Sequence, residues 1–113
     1  MSIDYSLSPD SAYPEALQEA LDCYLWLSSK DPQVEMSIGF FPDKFAICGD
    51  SAGGNLSMAL LLIVNEIRTS QSVDVTIQNP KGIFCYYTPY LAVIRVIILE
   101  IEIYVFCFEL GFY

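Results

Sequence analysis

A serine flanked by small residues, at the junction of two apolar segments, is the feature that most restricts how this chain can fold. Residues 49–53 read Gly-Asp-Ser-Ala-Gly, with an apolar run at 45–48 before them and a long apolar stretch at 55–67 after them. Short apolar runs are typical of strands buried on both faces of a parallel sheet. A helix that is apolar on all sides is normally buried. The sequence therefore predicts a strand, a tight turn and a helix, in this order.

The pattern Gly-x-Ser-x-Gly at residues 49–53 is that of a nucleophile elbow. In an elbow the serine occupies a strained strand-to-helix turn, and the two glycines let strand and helix approach closely. The turn exposes the hydroxyl, and the N–H of the next residue points at a developing oxyanion. We predict that Ser51 is a nucleophile and that the Ala52 N–H is an oxyanion-hole donor. The alternative is a tight glycine turn with an incidental serine.

Further elements are predicted on both sides of this unit. Residues 2–7 alternate between apolar and polar and predict a strand, whereas apolar positions at helical spacing predict a helix from Pro14 to about residue 29. Residues 33–44 predict irregular structure, and the apolar run 82–87 predicts a third strand. This order of strands and helices predicts three parallel strands joined by right-handed crossovers.

Residues 91–113 have a different composition, crowded with β-branched and aromatic side chains that favour strand. A membrane span is not favoured in this region, because it contains four charged residues. Insertion of each charged residue into a bilayer costs about 2.5–3.5 kcal/mol near a helix centre. The four residues are Arg95, Glu100, Glu102 and Glu109. The glutamates are interpreted as a solvated strand face rather than as a cation site.

The charge and the absence of histidine exclude several functions. The chain of 113 residues carries 14 acidic and 5 basic residues, a net charge of −9, and no histidine. No basic patch is available for nucleic acid or for an anionic membrane. Without histidine, the chain holds no complete Ser-His-Asp triad and no histidine-based metal site, and we predict neither a cofactor nor a metal.

The four cysteines, Cys23, Cys48, Cys85 and Cys107, are far apart in the sequence and form no metal-binding pair. Because three of them lie in apolar runs, we expect buried thiols in a reducing compartment rather than two disulfides. The sequence shows no signal peptide at its start. A cytoplasmic location is therefore expected, and the oligomeric state is left open.

The motif belongs to a longer resemblance. The segments SIDYSLSP (2–9), YPEAL (13–17), YLWL (24–27) and GDSAGGNL (49–56) occur in this order. Together they resemble the hormone-sensitive-lipase branch of the α/β-hydrolases, the fold-3 group that includes arylacetamide-deacetylase-like esterases. The resemblance covers about residues 2–90. It implies an α/β fold, namely a partial three-layer α/β-hydrolase domain at 1–90 with a truncated, mostly parallel sheet, and leaves 91–113 as an apolar tail.

The resemblance also implies a chemistry. It implies hydrolysis of a small uncharged carboxylic ester or acylglycerol through an acyl-enzyme at Ser51, with the Ala52 N–H in the oxyanion hole. The family's HGGG-type loop, its acid and its histidine have no counterpart here. We therefore expect an internal fragment of such an enzyme, poorly soluble and inactive alone. The alternative is a non-catalytic remnant whose helix start at 52–55 binds an anion.

Other side chains near these elements have two possible interpretations. Asp50 either tunes the elbow or caps a turn, and the second is favoured. Asn55 is expected to cap or orient the helix that follows the elbow. The aromatic residues Tyr13, Tyr24 and Trp26 either line an acyl pocket or belong to the core, and their helical spacing favours the core.

Overall fold

The computed structural model describes residues 1–42, 44, 46–70, 77–78 and 80–86, together with the backbone of 104–108. The described elements are α1 (Glu15–Ser28), α2 (Pro32–Ile38), β1 (Ile47–Asp50), α3 (Ala52–Thr69), β2 (Gly82–Tyr86) and β3 (Tyr104–Phe108). The chain divides into two compact units. One unit contains Met1–Asp43 and Leu60–Asn79, and the other contains Lys44–Ala59 and Pro80–Tyr113.

The sheet belongs to the second unit. Its three strands follow the order β1-β2-β3, and both pairs are parallel. Parallel neighbours require a crossover connection, and α3 lies on the one between β1 and β2. The parallel sheet is confirmed, and two of its strands overlap those predicted at 45–48 and 82–87, but the prediction of three parallel strands within residues 2–87 is wrong. The third is β3, in the region whose composition favoured strand.

The first predicted strand is absent. Residues 2–7 form no ladder, and Leu7 is 68% exposed. The segment is instead held to α1, because the Glu19 carboxylate accepts hydrogen bonds from the Ser6 backbone N–H at 2.7 Å and from the Ser6 hydroxyl at 2.6 Å. An alternating pattern forms a strand only where a neighbouring strand pairs with it. The prediction of a strand at 2–7 is therefore wrong for this chain.

The predicted helix after Pro14 is confirmed as α1, and its apolar positions Leu17, Ala20 and Tyr24 are buried. The prediction of irregular structure at 33–44 is wrong in its first half, where α2 forms. The Asp31 carboxylate accepts a hydrogen bond from the Gln33 N–H at 2.8 Å and caps this helix. A proline occupies its first position, and Gly39 ends it at φ 84°.

The segments around the elbow differ from expectation in their burial. Strand β1 alternates between half-buried and exposed residues, so the prediction of a strand buried on both faces is wrong. Helix α3 buries one stripe, which contains Ser57, Leu60, Leu61 and Val64, at the spacing of a single helix face. Leu62 is 40% exposed, so this helix, although apolar nearly all round, is not buried on all sides within the chain. Among the described residues, no helix is long and apolar enough to cross a bilayer.

Candidate active site

Ser51 lies between the last residue of β1 and the first residue of α3. Its φ is 49°, in the left-handed region that residues other than glycine rarely adopt. Two hydrogen bonds hold the turn. The Ser51 N–H donates to the Tyr86 carbonyl at 2.9 Å, and the Ser51 carbonyl accepts from the Asn55 N–H at 3.2 Å. The side chain is exposed. The predicted strand-to-helix turn with an exposed serine is therefore confirmed.

Gly49 is required by the close approach of β1 to the start of α3. A Cβ atom at this position would collide with the carbonyl group of Gly53 and would lie 2.7 Å from the Ser57 hydroxyl oxygen. The Ser57 hydroxyl donates to that same Gly53 carbonyl at 2.7 Å. No side chain fits between the strand and the first turns of the helix. The glycine two residues before the serine therefore has the role that the motif predicts.

Gly53, two residues after the serine, does not have the same role. A Cβ atom built on it meets no described heavy atom within 4 Å, apart from the neighbouring helical backbone. Its φ does not lie in the left-handed region that favours glycine. The prediction that both glycines are needed for close approach is therefore wrong at Gly53. It is the carbonyl of Gly53, rather than its missing side chain, that lies against the strand.

The first residues of α3 provide the polar surroundings of the serine. The first four N–H groups of a helix have no partner within the helix, and they carry the positive end of its dipole. Ala52 is the first residue of α3 and is exposed. Its N–H is therefore available to an oxygen that becomes negative beside Ser51. An N–H donor beside a serine hydroxyl is one part of the arrangement that acyl transfer to serine requires.

A base for the serine is not found among the described residues. No described group makes a hydrogen bond to the Ser51 hydroxyl. Asp50 is adjacent in sequence but exposed, at the end of β1. No group of three histidine, cysteine, aspartate or glutamate residues that could hold a metal occurs in the described part of the chain. The described site thus contains an exposed serine beside the first N–H groups of α3.

Helix α3 begins earlier than predicted, and this changes the role expected of Asn55. The predicted start was residue 55, whereas the helix starts at Ala52 and the residue before it is Ser51. Asn55 therefore lies at the fourth helical position. Its backbone N–H closes the first turn on the Ser51 carbonyl. The expectation that Asn55 caps this helix is wrong, although the residue does contribute to the turn through its backbone.

The three aromatic residues considered for an acyl pocket or for the core differ in their burial. Tyr24 is 4% exposed, and its hydroxyl donates to the Gln78 carbonyl at 2.5 Å. Burial raises the pKa of Tyr24, and the nearby charge of Arg68 opposes that rise. Trp26 is half-buried, and Tyr13 is 86% exposed. The core interpretation is therefore confirmed for Tyr24 and wrong for Tyr13.

The cysteine thiols also differ from one another in their burial. Cys85 is buried, and its Sγ lies 3.7 Å from the Gly54 carbonyl oxygen. Cys23 is half-buried, and burial raises the pKa of its thiol. Cys48 is exposed on β1, so the expectation of a buried thiol is wrong there. The glutamates of the tail (Glu100, Glu102 and Glu109) and Arg95 lie outside the described residues.

Several known proteins that are similar to this chain are named as esterases or lipases. The chain is 41% identical over 68 residues to the versiconal hemiacetal acetate esterase of Dothistroma septosporum, an alignment that covers 60% of this chain and 19% of that protein. It is 40% identical over 87 residues to human hormone-sensitive lipase, covering 77% of this chain and 7% of the lipase. It is 28% identical over 67 residues to a carboxylesterase of Mycobacterium tuberculosis, covering 59% of this chain and 20% of that enzyme.

The aligned region is thus at most a fifth of each of these three relatives. No solved structure is significantly similar to the chain. The sequence profile of the family described as the α/β-hydrolase fold matches residues 1–95, which include the turn at Ser51 and the strands β1 and β2. With a parallel sheet, a strand-to-helix turn at Ser51 and a profile match over most of its length, this chain belongs to the α/β-hydrolase fold family.

Proposed function

We propose that this chain carries the nucleophile part of a carboxylic-ester hydrolase site. In a complete site of this kind the serine attacks the ester carbonyl carbon, the alcohol leaves, and water later releases the acyl group; Ser51 is the proposed serine. The observation that supports this proposal most strongly is the left-handed backbone of an exposed serine between a parallel strand and a helix. This strain exposes the hydroxyl beside the first N–H groups of α3, where negative charge develops in acyl transfer.

The proposed substrate is an uncharged carboxylic ester with a short-to-medium acyl chain, or an acylglycerol. Two observations support this class. The relatives are named as an acetate esterase, a carboxylesterase and a hormone-sensitive lipase. The net charge of −9 disfavours an anionic substrate, because like charges repel at long range.

We further propose that Ser51 is not activated in the 113-residue chain. A serine hydroxyl is a weak nucleophile near neutral pH and needs a base within about 2.6–3.2 Å. Histidine is the usual base, and the sequence contains none. Carboxylates such as that of Asp50 are weak bases near pH 7. The oxyanion hole has one proposed donor, the Ala52 N–H, so stabilisation of the transition state is also incomplete.

Hydrolysis of p-nitrophenyl butyrate by the purified chain tests both parts of the proposal. The expected rate is close to the rate without protein, and Ser51→Ala leaves it nearly unchanged because no base activates the hydroxyl. Ser37→Ala is the matched control, since Ser37 is also an exposed serine but lies on α2. Rapid turnover that Ser51→Ala abolishes and Ser37→Ala retains would contradict the inactivity and support the nucleophile. Rapid turnover that survives Ser51→Ala would contradict the assignment of Ser51.

A further inference from the structure

Two cysteines occupy paired positions on neighbouring strands. The parallel register of β2 and β3 makes Cys85 and Cys107 Cα partners, with Gly82 and Tyr104 paired at the start of the same ladder. Paired residues on adjacent strands share one face of a sheet. We propose that Cys85 and Cys107 form a reversible disulfide when the chain meets a small-molecule disulfide such as glutathione disulfide. This inference is independent of any activity at Ser51.

The spacing of the strands allows this bond. Neighbouring strands lie about 4.7–4.9 Å apart. A disulfide joins residues whose Cα atoms are about 4.4–6.8 Å apart, so paired positions meet this condition. The Cβ atoms of an ideal disulfide lie about 3.5–4.5 Å apart, slightly closer than neighbouring strands, so the bond must draw the two residues together. A bond that forms with some strain is more easily reduced, which makes the modification reversible.

Cys48 allows the effect of strand register on disulfide formation to be separated from the effect of thiol exposure. It lies on β1, the other neighbour of β2, but it pairs with Phe84, whereas Cys85 pairs with Gly49. Successive residues of a strand face opposite sides, so Cys48 and Cys85 lie on opposite faces of the sheet. Cys48 is exposed, whereas Cys85 is 3% exposed. Exposure alone therefore favours modification of Cys48, and register favours the Cys85–Cys107 bond.

The reaction balances by thiol–disulfide exchange. One thiolate of the pair attacks a sulfur of glutathione disulfide, which forms a mixed disulfide and releases one glutathione thiolate. The second protein thiolate then attacks the protein sulfur of that mixed disulfide and releases the second glutathione. The two protein thiols are oxidised by two electrons, the small disulfide is reduced to two glutathione thiols, and the two protons pass to these products.

The test is disulfide mapping of the full chain after incubation with excess glutathione disulfide under native conditions. We expect an intact mass lower by two hydrogen atoms per internal bond, and a linked peptide pair that contains Cys85 and Cys107. Cys48→Ser retains this bond. Cys107→Ser abolishes it and leaves at most glutathione adducts.

A second arm repeats the oxidation in concentrated urea, where the strands no longer set the register. We expect mixed pairings among all four cysteines there, and enrichment of the Cys85–Cys107 bond only in the native chain. Three results would each overturn the proposal: a native chain that carries glutathione adducts alone, one that links Cys85 to Cys23 or Cys48, or one that shows the same mixture of pairings with and without urea.

Discussion

In the described part of the chain, two exposed residues other than glycine have positive φ angles: Lys30 at 55° and Ser51 at 49°. The left-handed conformation costs such residues about 1–2 kcal/mol. Lys30 follows the end of α1, a place where helices commonly end in this conformation. Ser51 lies where the motif predicts a strained turn. The position of this strain was predictable because the five-residue pattern occurs between a strand and a helix.

Replacement of each of these residues by glycine tests whether the strain is real. We expect Ser51→Gly to raise the free energy of unfolding by about 1 kcal/mol, because glycine adopts this conformation without a steric penalty. Lys30→Gly is the matched control and is expected to shift stability in the same direction. Urea unfolding followed by circular dichroism measures both variants. A loss of stability in Ser51→Gly beside a gain in Lys30→Gly would mean that the turn at residue 51 is not strained.

The two glycines of the motif are expected to respond oppositely to alanine. Gly49→Ala places a Cβ atom against the Gly53 carbonyl and the Ser57 hydroxyl, and overpacking of this kind costs about 1–3 kcal/mol. Gly53→Ala meets open space, and alanine is favoured over glycine inside a helix by about 1 kcal/mol. Unfolding midpoints in urea compare the two. Equal destabilisation by both substitutions would contradict the packing described here.

At the scale of helices and strands, the sequence predicted the elements whose residue pattern lies within the element or directly beside it. Helix α1 follows from apolar spacing over four turns, and β1, the turn and α3 follow from the motif and its apolar neighbours. Helix α2 was missed because residues 33–44 were interpreted as irregular from their glycine and proline, although Asp31 at the cap and Pro32 at the first position are a helix start. The strand expected at 2–7 depended on a partner strand, which local alternation does not reveal.

The contact between Ser6 and Glu19 makes the attachment of the N-terminal segment to α1 depend on pH. Hydrogen bonds from the Ser6 hydroxyl and backbone N–H hold the pKa of Glu19 below its ordinary value of 4.5, against a small opposing effect of desolvation. Because the pKa of Glu19 is lower in the folded than in the unfolded chain, this contact contributes fully to the stability of the fold above pH 4.5. The contribution is lost as the pH falls through the pKa of Glu19 in the folded chain.

We therefore expect the stability of the chain to exceed that of Glu19→Gln above pH 4.5, and the difference to shrink at lower pH. Unfolding in urea at a series of pH values measures this difference. Ser6→Ala is the control, because it removes the hydroxyl donor but keeps the backbone N–H, and it should reduce the pH-dependent difference without abolishing it. A difference that grows as the pH falls would show that the carboxylate is not stabilised by Ser6.

At the scale of the molecule, each unit exposes large apolar side chains. In the second unit, Phe84 is 47% exposed and Tyr86 is 45% exposed, at alternating positions of β2. In the first unit, Met36 and Phe40 are also exposed. Contiguous exposed apolar surface favours association in water. The exposed side chains of β2 therefore provide a physical reason for the expected poor solubility.

We expect the purified chain to associate in a concentration-dependent manner, and the double substitution Phe84→Thr with Tyr86→Thr to reduce this association. Threonine is chosen because it favours strand and removes apolar area. Sedimentation velocity over a range of concentrations provides the measurement, with Met36→Thr as a control on the other unit. A monodisperse monomer with a sharp, cooperative thermal transition would contradict the expectation.

We propose that the chain forms a nucleophile elbow at Ser51 but does not activate its hydroxyl. The most direct measurement is covalent labelling by a fluorophosphonate, which reacts with activated serines, followed by peptide mass spectrometry. We expect Ser51 to be labelled no faster than exposed Ser37, and Ser51→Ala to leave the labelled fraction of the chain nearly unchanged. Rapid, stoichiometric labelling that is confined to Ser51 and lost in Ser51→Ala would contradict it.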